Sequence, residues 1–592
     1  MRTSLGAMHI CSLIKFKYSA VPAYCMDKKI QNNIRNWALQ NALKYDGKAN
    51  QGAIIGKLLS DNPEFKKELK TLSKEISAII KEVNKLGVEK QRAELEKNAP
   101  ELLEEKPKEK REGLKPLKDA KEKKVALRMA PSPSGPLHIG HAYGISINSE
   151  YARMYKGKFI IRIEDTNPEN IYELAYEYIP EDANWLTKNN VSEVVIQSDR
   201  LGHYYDHMEK LIAEGNAYVC TCDPDTFREQ IIKKKACPCR DLSIKEQGQR
   251  WDKMFGEYKP GEAVCRIKTD VAHKNPAMRD WPAMRINDHV HPRQGTKYKV
   301  WPLMNLSVAI DDHLMGLTHV INGKEHADNA KRQKYIFDYF KWTRPIYINW
   351  GRINFEGIEV SCSKTKQKIE YGEYEGWDDI RLPFMRALKR RGYQPEAFIN
   401  FAVDMGVSLS DKTVSKDEFF KTINAFNKDI IEPIADRYFF VEDPVEIEIS
   451  NAPNQEVELK LHPDNPKRGV RKFKCSDKFY LAKADHKTLK ANKLYRLMDC
   501  LNFKKKAREL IFEGEDYMSY KEKGEAIMHW LPVSKDLVKV ELLMPDNTLV
   551  KGLGEAGMSK LKAGAIIQLE RVGFCRLDKI SGKTLKFWFT HR

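Results

Sequence analysis

The sequence predicts a multidomain chain with a doubly wound α/β core. An N-terminal helical extension precedes the core, and a helical bundle and C-terminal antiparallel β-barrels follow it. Three observations carry this reading. Between residues 26 and 98 apolar side chains recur at helical spacing. From Val125 short apolar runs alternate with helical patterns, as parallel strands and crossover helices do. From Ile434 to Arg592 the pattern changes to alternating strands separated by regular turns. A chain of 592 residues is too long for one core, and about four domains of ~150 residues each are expected.

The totals narrow the function classes. A net charge of +18 favours a polyanionic partner, although an inert basic surface would give the same total. No apolar run approaches the ~20 residues that span a bilayer, so no membrane association is expected. The 11 cysteines are an odd number in a long chain. That argues against a disulfide framework and fits a reducing, cytoplasmic setting. Residues 1–25 lack the hydrophobic centre and cleavage site of a signal peptide, and Met26 is expected to be the true start.

The first segment, 1–98, takes its helical character from Ile30, Ile34, Ala38 and Leu43, then from Leu69, Leu72, Ile76, Ile79, Ile80 and Val83. The glycine-containing stretch Lys48–Lys57 interrupts it and, lacking a preceding strand, reads as a loop. Residues 99–124 are dense in Lys and Glu and read as a linker or solvated helix.

The core is assigned to 125–375. Val125–Met129 is a short strand that leads through Pro131-Ser132-Pro133-Ser134-Gly135-Pro136-Leu137 into a helix from about His138 to Tyr155. A strand-to-helix turn of this kind presents backbone N–H groups and a helix N-terminus to an anion. His138 and His141 share one face of the first turn, with Ile139 and Gly140 between them, and Gly140 leaves room for a flat ring. An isolated His-x-x-His is more often a surface pair or half of a metal site; the flanking turn and strand favour a nucleoside triphosphate. Lys158–Glu164 is a second strand ending in Glu164-Asp165-Thr166-Asn167. Carboxylates at that end of a parallel strand face ligands, so Glu164 is a candidate for an ammonium group. Asp165 or Thr166 is expected to cap a helix from about Glu169 to Asn189.

Within an insertion at about 215–300, Cys220-Thr-Cys222 and Cys237-Pro-Cys239 form two matched pairs, suited to a closed, structural tetrahedral Zn2+ site. Leu306–Leu314 reads as a helix and Thr318–Asn322 as a strand, with Asp311-Asp312-His313 as a charged helix terminus. Ser361-Cys362-Ser363-Lys364 is a basic loop whose lysine can neutralise charge on a leaving group. The bundle is assigned to 376–433. Its first helix carries Arg386, Lys389, Arg390 and Arg391 mostly on one side, suited to phosphate contact. In the strand-rich region, 434–592, Lys467-Arg468 and Lys504–Arg508 lie near aromatics, suited to stacking on single-stranded bases.

Arg128–Ala142, with its His138-Ile139-Gly140-His141, resembles the signature of class I aminoacyl-tRNA synthetases. Its flanks, Arg162–Asn167, Tyr298–His326, Glu359–Lys366 and Gly376–Gly392, resemble the glutamyl/glutaminyl branch, particularly the archaeal glutamyl type, and Asn41–Lys57 is similar to that type's N-terminal extension. The strand-rich C-terminal region agrees with the archaeal branch. The resemblance implies a Rossmann-like catalytic core, ATP with Mg2+, L-glutamate and tRNA(Glu), with tRNA(Gln) a second candidate. It implies that His138, His141, Ser363 and Lys364 serve ATP and that the Pro131–Leu137 turn holds the nucleotide. Arg128, Glu164, Met304, Val308 and Asn322 would face the amino acid, and Glu325 and His326 would lie near ATP. Arg386, Lys389, Arg390 and Arg391 would touch tRNA, and the cysteine insertion would touch its acceptor end. A monomer is expected. Asn322 stands where glutamyl enzymes usually place an arginine, which keeps glutamine open as the amino acid; a tRNA-binding paralogue without catalysis is the alternative of another class.

Overall fold

The computed structural model describes residues 27–45, 47–62, 64–65, 69–103 and 113–592. The expected upstream extension and start at Met26, and the middle of the charged linker, lie outside the described residues. The chain divides into two compact units, Met1–Lys110 and Arg111–Arg592.

The first unit contains helices Lys28–Lys44, Gln51–Asp61, Leu69–Lys85 and Val88–Asn98. They enclose Ile34, Ala38, Ile54, Leu58, Ile76 and Val83. Lys48–Lys57 is not the loop the sequence predicts. Asn50 caps a helix whose Ile54 and Leu58 point inward, while Gly52 and Gly56 fall on the exposed face and cost it little packing.

In the second unit three parallel strands lie in the order Ala126–Met129, Lys158–Ile163, Glu193–Ile196. His319–Gly323 and Ile346–Trp350 form a further parallel pair. Thr318 joins the two sets, its N–H donating to the Ala126 carbonyl (3.1 Å) and its Oγ1 accepting from the Ala126 N–H (3.0 Å). Numbered by appearance, the strands run 3-2-1-4-5, the order of a nucleotide-binding doubly wound sheet. The linker expected at 99–124 overlaps the core at its C-terminal end. Leu117 is buried in the core, its N–H donates to the Tyr155 hydroxyl (2.8 Å), and the Lys118 carbonyl contacts His319 Nε2 (2.8 Å).

The insertion is an antiparallel sheet of Ala217–Cys220, Val264–Ile267, Pro282–Ile286 and Val300–Pro302. Helices Met385–Arg391, Pro395–Met405 and Lys416–Ile431 follow the core. Phe398 and Phe419 pack into the same apolar cluster as Leu127 and Ile161, so these helices cover one face of the sheet. The C-terminal region holds two seven-stranded sheets. They are mixed where antiparallel barrels were expected: Pro444–Ser450 runs parallel to Glu509–Gly514, and Val538–Leu543 parallel to Thr584–His591. Hairpins give antiparallel neighbours, whereas a strand that returns to its sheet after an excursion can enter in the same direction.

Candidate active site

A cleft of about 420 Å³ opens where the strand order reverses, at the carboxyl ends of Ala126–Met129 and His319–Gly323. Open α/β sheets bind ligands at this point. The first half of the sheet contributes Arg128, Pro131, Ser132, His138, Gly140, His141 and Glu164; the second contributes Met304, Val308, Asn322, Glu325 and His326.

The rest of the proline-rich turn does not line this cleft. Pro133, Gly135, Pro136 and Leu137 are buried beside it, and Ser134 is half-buried. The Leu137 N–H donates to Asp182 (3.3 Å), and its carbonyl accepts from Met385 (2.8 Å). A Cβ on Gly135 would lie 3.0 Å from Trp377 and 3.1 Å from Cys362. The turn expected as a nucleotide cradle thus divides into a wall, Pro131 and Ser132, and a support.

The Ile139–Met154 helix starts with a capping box made of imidazoles. His138 Nδ1 accepts from the Gly140 N–H (3.1 Å), and His141 Nδ1 accepts from the His138 N–H (3.3 Å). The rings stack with centroids 3.9 Å apart. An Nδ1 that accepts from backbone leaves the proton of a neutral ring on Nε2. Burial lowers the His141 pKa to about 4, and burial with the charge of its neighbour lowers that of His138 well below the ordinary value. Near neutral pH both rings are therefore uncharged, with Nε2–H available as a donor to a phosphate oxygen.

Beneath the opposite wall lies a buried charge network. Asp312 accepts from Arg128 Nε (3.2 Å) and Nη2 (3.3 Å) and from Arg162 Nη1 (2.6 Å). Arg162 Nη2 donates to Glu164 (3.0 Å). Asp311 accepts from Arg200 (2.7 Å), Tyr204 (2.7 Å) and Gln197 (2.9 Å). Burial alone would raise the Asp312 pKa; Arg128 and Arg162 outweigh it and hold the carboxyl below the usual range. The pair read in the sequence as a helix terminus is therefore the counter-charge for three arginines. The signal was present: two adjacent carboxylates on an otherwise apolar helix, and Arg162 and Glu164 on one face of a strand. Arg128 keeps Nη1 for a ligand, and Glu164 reaches the cleft already anchored. Asp165 does not cap a helix: it accepts from the Ser198 N–H (2.8 Å) and the Tyr176 hydroxyl (2.7 Å), and the helix that follows is Ala175–Leu186.

Tyr143, Gln333, Tyr347, Trp350 and Arg352 also line the cleft and were not singled out in the sequence. They carry no spacing signal, because the fold gathers them from three separate segments. Ser363 and Lys364, expected in a basic loop, lie instead in the first turn of a helix and are exposed outside the cleft, with Lys364 Nζ 3.3 Å from Glu359. Ser361 caps the Cys362–Glu370 helix through the Lys364 N–H (3.4 Å), and buried Cys362 seats that helix against Gly135.

The basic helix is also divided. Arg386, Lys389 and Arg390 line a second cavity of about 310 Å³, Arg386 beside Glu181 (2.8 Å) and Arg390 beside Asp578 (2.7 Å). Arg391 points the other way: it is buried and donates to the carbonyls of Phe589 (3.3 Å) and Thr590 (3.0 Å). It cannot contact a nucleic acid from there, because position 391 falls on the inner side of the helix. In the C-terminal region Arg468 pairs with Asp436, and Lys504 with Glu513 (3.2 Å).

Cys220, Cys222, Cys237 and Cys239 place their sulfurs within 4.8 Å of one another. The Cys220–Cys237 and Cys222–Cys239 separations are 3.8 and 3.7 Å. Four thiolates at ~2.3 Å from a tetrahedral zinc ion would be about 3.8 Å apart, so the donor set fits that ion. No described helix is long and apolar enough to cross a membrane.

Three family matches follow the chain in order. Residues 124–433 match the catalytic domain of tRNA synthetases class I (E and Q), and residues 435–515 and 527–578 match two anti-codon binding domains of the same class. A glutamate–tRNA ligase of Methanobrevibacter smithii is 44% identical over 94% of this chain and 98% of its own length. One from Pyrococcus abyssi is 45% identical with the same coverage, 94% and 98%. A crystal structure of a glutamate tRNA ligase from Elizabethkingia meningosepticum aligns with 53% of this chain and 70% of its own at 19% identity and a TM-score of 0.39. Cleft, strand order and full-length similarity converge, and the chain belongs to the class I tRNA synthetases of the E and Q family.

Proposed function

We propose that the chain is a glutamate–tRNA ligase. A carboxylate oxygen of glutamate attacks the α-phosphorus of ATP, pyrophosphate leaves with the bonding electrons, and the adenylate passes its acyl group to a terminal adenosine hydroxyl of tRNA(Glu), releasing AMP. The observation that carries this reading is the cleft at the strand-order reversal, where neutral imidazole donors face one end and an anchored guanidinium and carboxylate face the other. His138 and His141 donate Nε2–H to phosphate oxygens, Ser132 and the helix start receive the nucleotide, and Glu325 and His326 lie along it. Glu164 holds the ammonium group, Arg128 and Asn322 the side-chain carboxylate, and Met304 and Val308 the aliphatic stem. These donors are set before the reaction, so stabilising developing charge needs little reorganisation.

Lys364 and Ser363 reach the pyrophosphate when the first turn of the Cys362–Glu370 helix closes over the cleft. Mg2+ accompanies ATP, and a zinc ion on the four cysteines fixes the insertion that receives the acceptor end. Arg386, Lys389 and Arg390 meet phosphates, and the C-terminal sheets meet the anticodon. The names of the relatives and the anti-codon binding matches support the same reading. The test is aminoacylation by the purified chain, with labelled glutamate and labelled glutamine offered separately on tRNA(Glu) and tRNA(Gln). Glutamate on tRNA(Glu) is the expected product. Charging with glutamine alone would make it a glutamine–tRNA ligase, and no charging with either would leave a tRNA-binding paralogue.

A further inference from the structure

The departure at Asn322 has a neighbour that explains it. His319–Gly323 and Ile346–Trp350 run parallel, and Asn322 is in register with Asn349. Asn349 Nδ2 donates to Asn322 Oδ1 at 2.7 Å and to the Gly323 carbonyl at 3.4 Å. A carbonyl can only accept, so Gly323 fixes which end of the Asn349 amide turns this way. With Asn349 fixed as a donor, Asn322 must present its oxygen to Asn349, and its Nδ2–H₂ faces elsewhere. Asn322 lines the cleft; Asn349 does not. The orientation of a free amide is ambiguous, but this one is set by a chain of three groups that ends on the backbone.

The same wall carries Arg128, whose Nε and Nη2 are committed to Asp312. A guanidinium has no acceptor at all. Tyr347 and Gln333 also reach this part of the cleft, and they are turned to each other: the Tyr347 hydroxyl donates to Gln333 Oε1 at 3.3 Å. Arg128 and Asn322 thus offer donors from both sides of the strand reversal. A carboxylate, with acceptors on both oxygens, satisfies them. A carboxamide has one acceptor oxygen, so wherever the two donors meet different ends of the group its NH₂ faces one of them and two donors oppose each other, which a desolvated site penalises.

We propose that Asn349 is a positioning residue for specificity. By holding Asn322 as a donor, it makes the cleft select a carboxylate over a carboxamide side chain, the task an arginine would otherwise perform by charge. The inference rests on the ligase reading above and deepens it by naming how glutamate is told from glutamine.

The test is the ratio of kcat/KM for glutamate to that for glutamine, measured by aminoacylation of tRNA(Glu) by the full chain. In Asn349→Asp the new carboxylate can only accept, so Asn322 turns its NH₂ to it and offers Oδ1 to the cleft. The ratio is expected to fall at least tenfold, with KM for ATP within twofold of wild type. Asn349→Ala, which frees Asn322 without reversing it, is expected to lower the ratio by less. Equal losses for both amino acids in Asn349→Asp, or an unchanged ratio, would overturn the proposal. Should Asn349→Asp not fold, Asn349→Ala decides alone, since a purely structural residue would leave the ratio intact. If the wild-type chain charges with neither amino acid, the ligase reading has failed. If the wild type charges with glutamate and the variant ratios do not move, only the role of Asn349 has.

Discussion

At the scale of single residues the histidine pair gives the sharpest expectations. His141→Ala removes a donor to charge that develops in the reaction, so adenylate formation, followed by ATP–pyrophosphate exchange, is expected to fall ~100-fold or more. Gly140→Ala acts through His138: a Cβ there would sit 2.9 Å from the imidazole Cε1 and 3.0 Å from Nδ1. Alanine suits the helix better than glycine by ~1 kcal/mol, so this variant should unfold no more easily than wild type in urea yet exchange pyrophosphate about tenfold more slowly. The pH dependence has a definite sign. His141 titrates near 4 in the folded protein and near 6.5 when unfolded. Between those values the unfolded chain holds more protons, so stability falls as pH falls, by at most about 1.4 kcal/mol per unit from this group. His141→Asn should narrow the gap between urea midpoints measured at pH 7 and pH 5. The pair was legible in the sequence because its geometry is local. Its tautomers were not, because they depend on which backbone N–H each ring meets.

At the scale of elements, the Met385–Arg391 helix separates two roles that a charge run merges. Arg391→Ala removes a buried charged donor from the carbonyls of Phe589 and Thr590, the latter keeping only the longer bond from the Tyr393 hydroxyl (3.4 Å); such losses cost about 1–3 kcal/mol, and the thermal midpoint should drop accordingly. Lys389→Ala should leave the midpoint unchanged, weaken tRNA binding and reduce the slope of log affinity against log salt by about one. Sequence spacing could not assign the two faces, because the partners of Arg391 lie some two hundred residues further along the chain. The cysteine insertion was legible for the opposite reason: paired thiols on short turns fix their own separation. Cys222→Ser should lower the zinc content of the purified protein well below one ion per chain, and strong chelators should do the same to wild type.

At the scale of the whole molecule, the doubly wound core followed from the alternation of strands and helices, and the strand-rich character of the C-terminal region from its alternating pattern. The mixed pairing of its strands was hidden, since neighbours far apart in sequence leave no periodicity. The buried charge network was hidden for the same reason, and it bears on how the fold can be divided. Arg128, Arg162, Arg200 and Glu164 come from before the insertion; Asp311 and Asp312 come from after it. Together they balance, but the leading segment alone would carry two unmatched guanidinium groups in its interior. A chain cut within the insertion should therefore yield halves that are soluble together and not apart, and exchange of one half with a distant relative should succeed only when the aspartate pair travels with its arginines. Inheritance of this core is tied across the cut: the two segments behave as one unit of recombination.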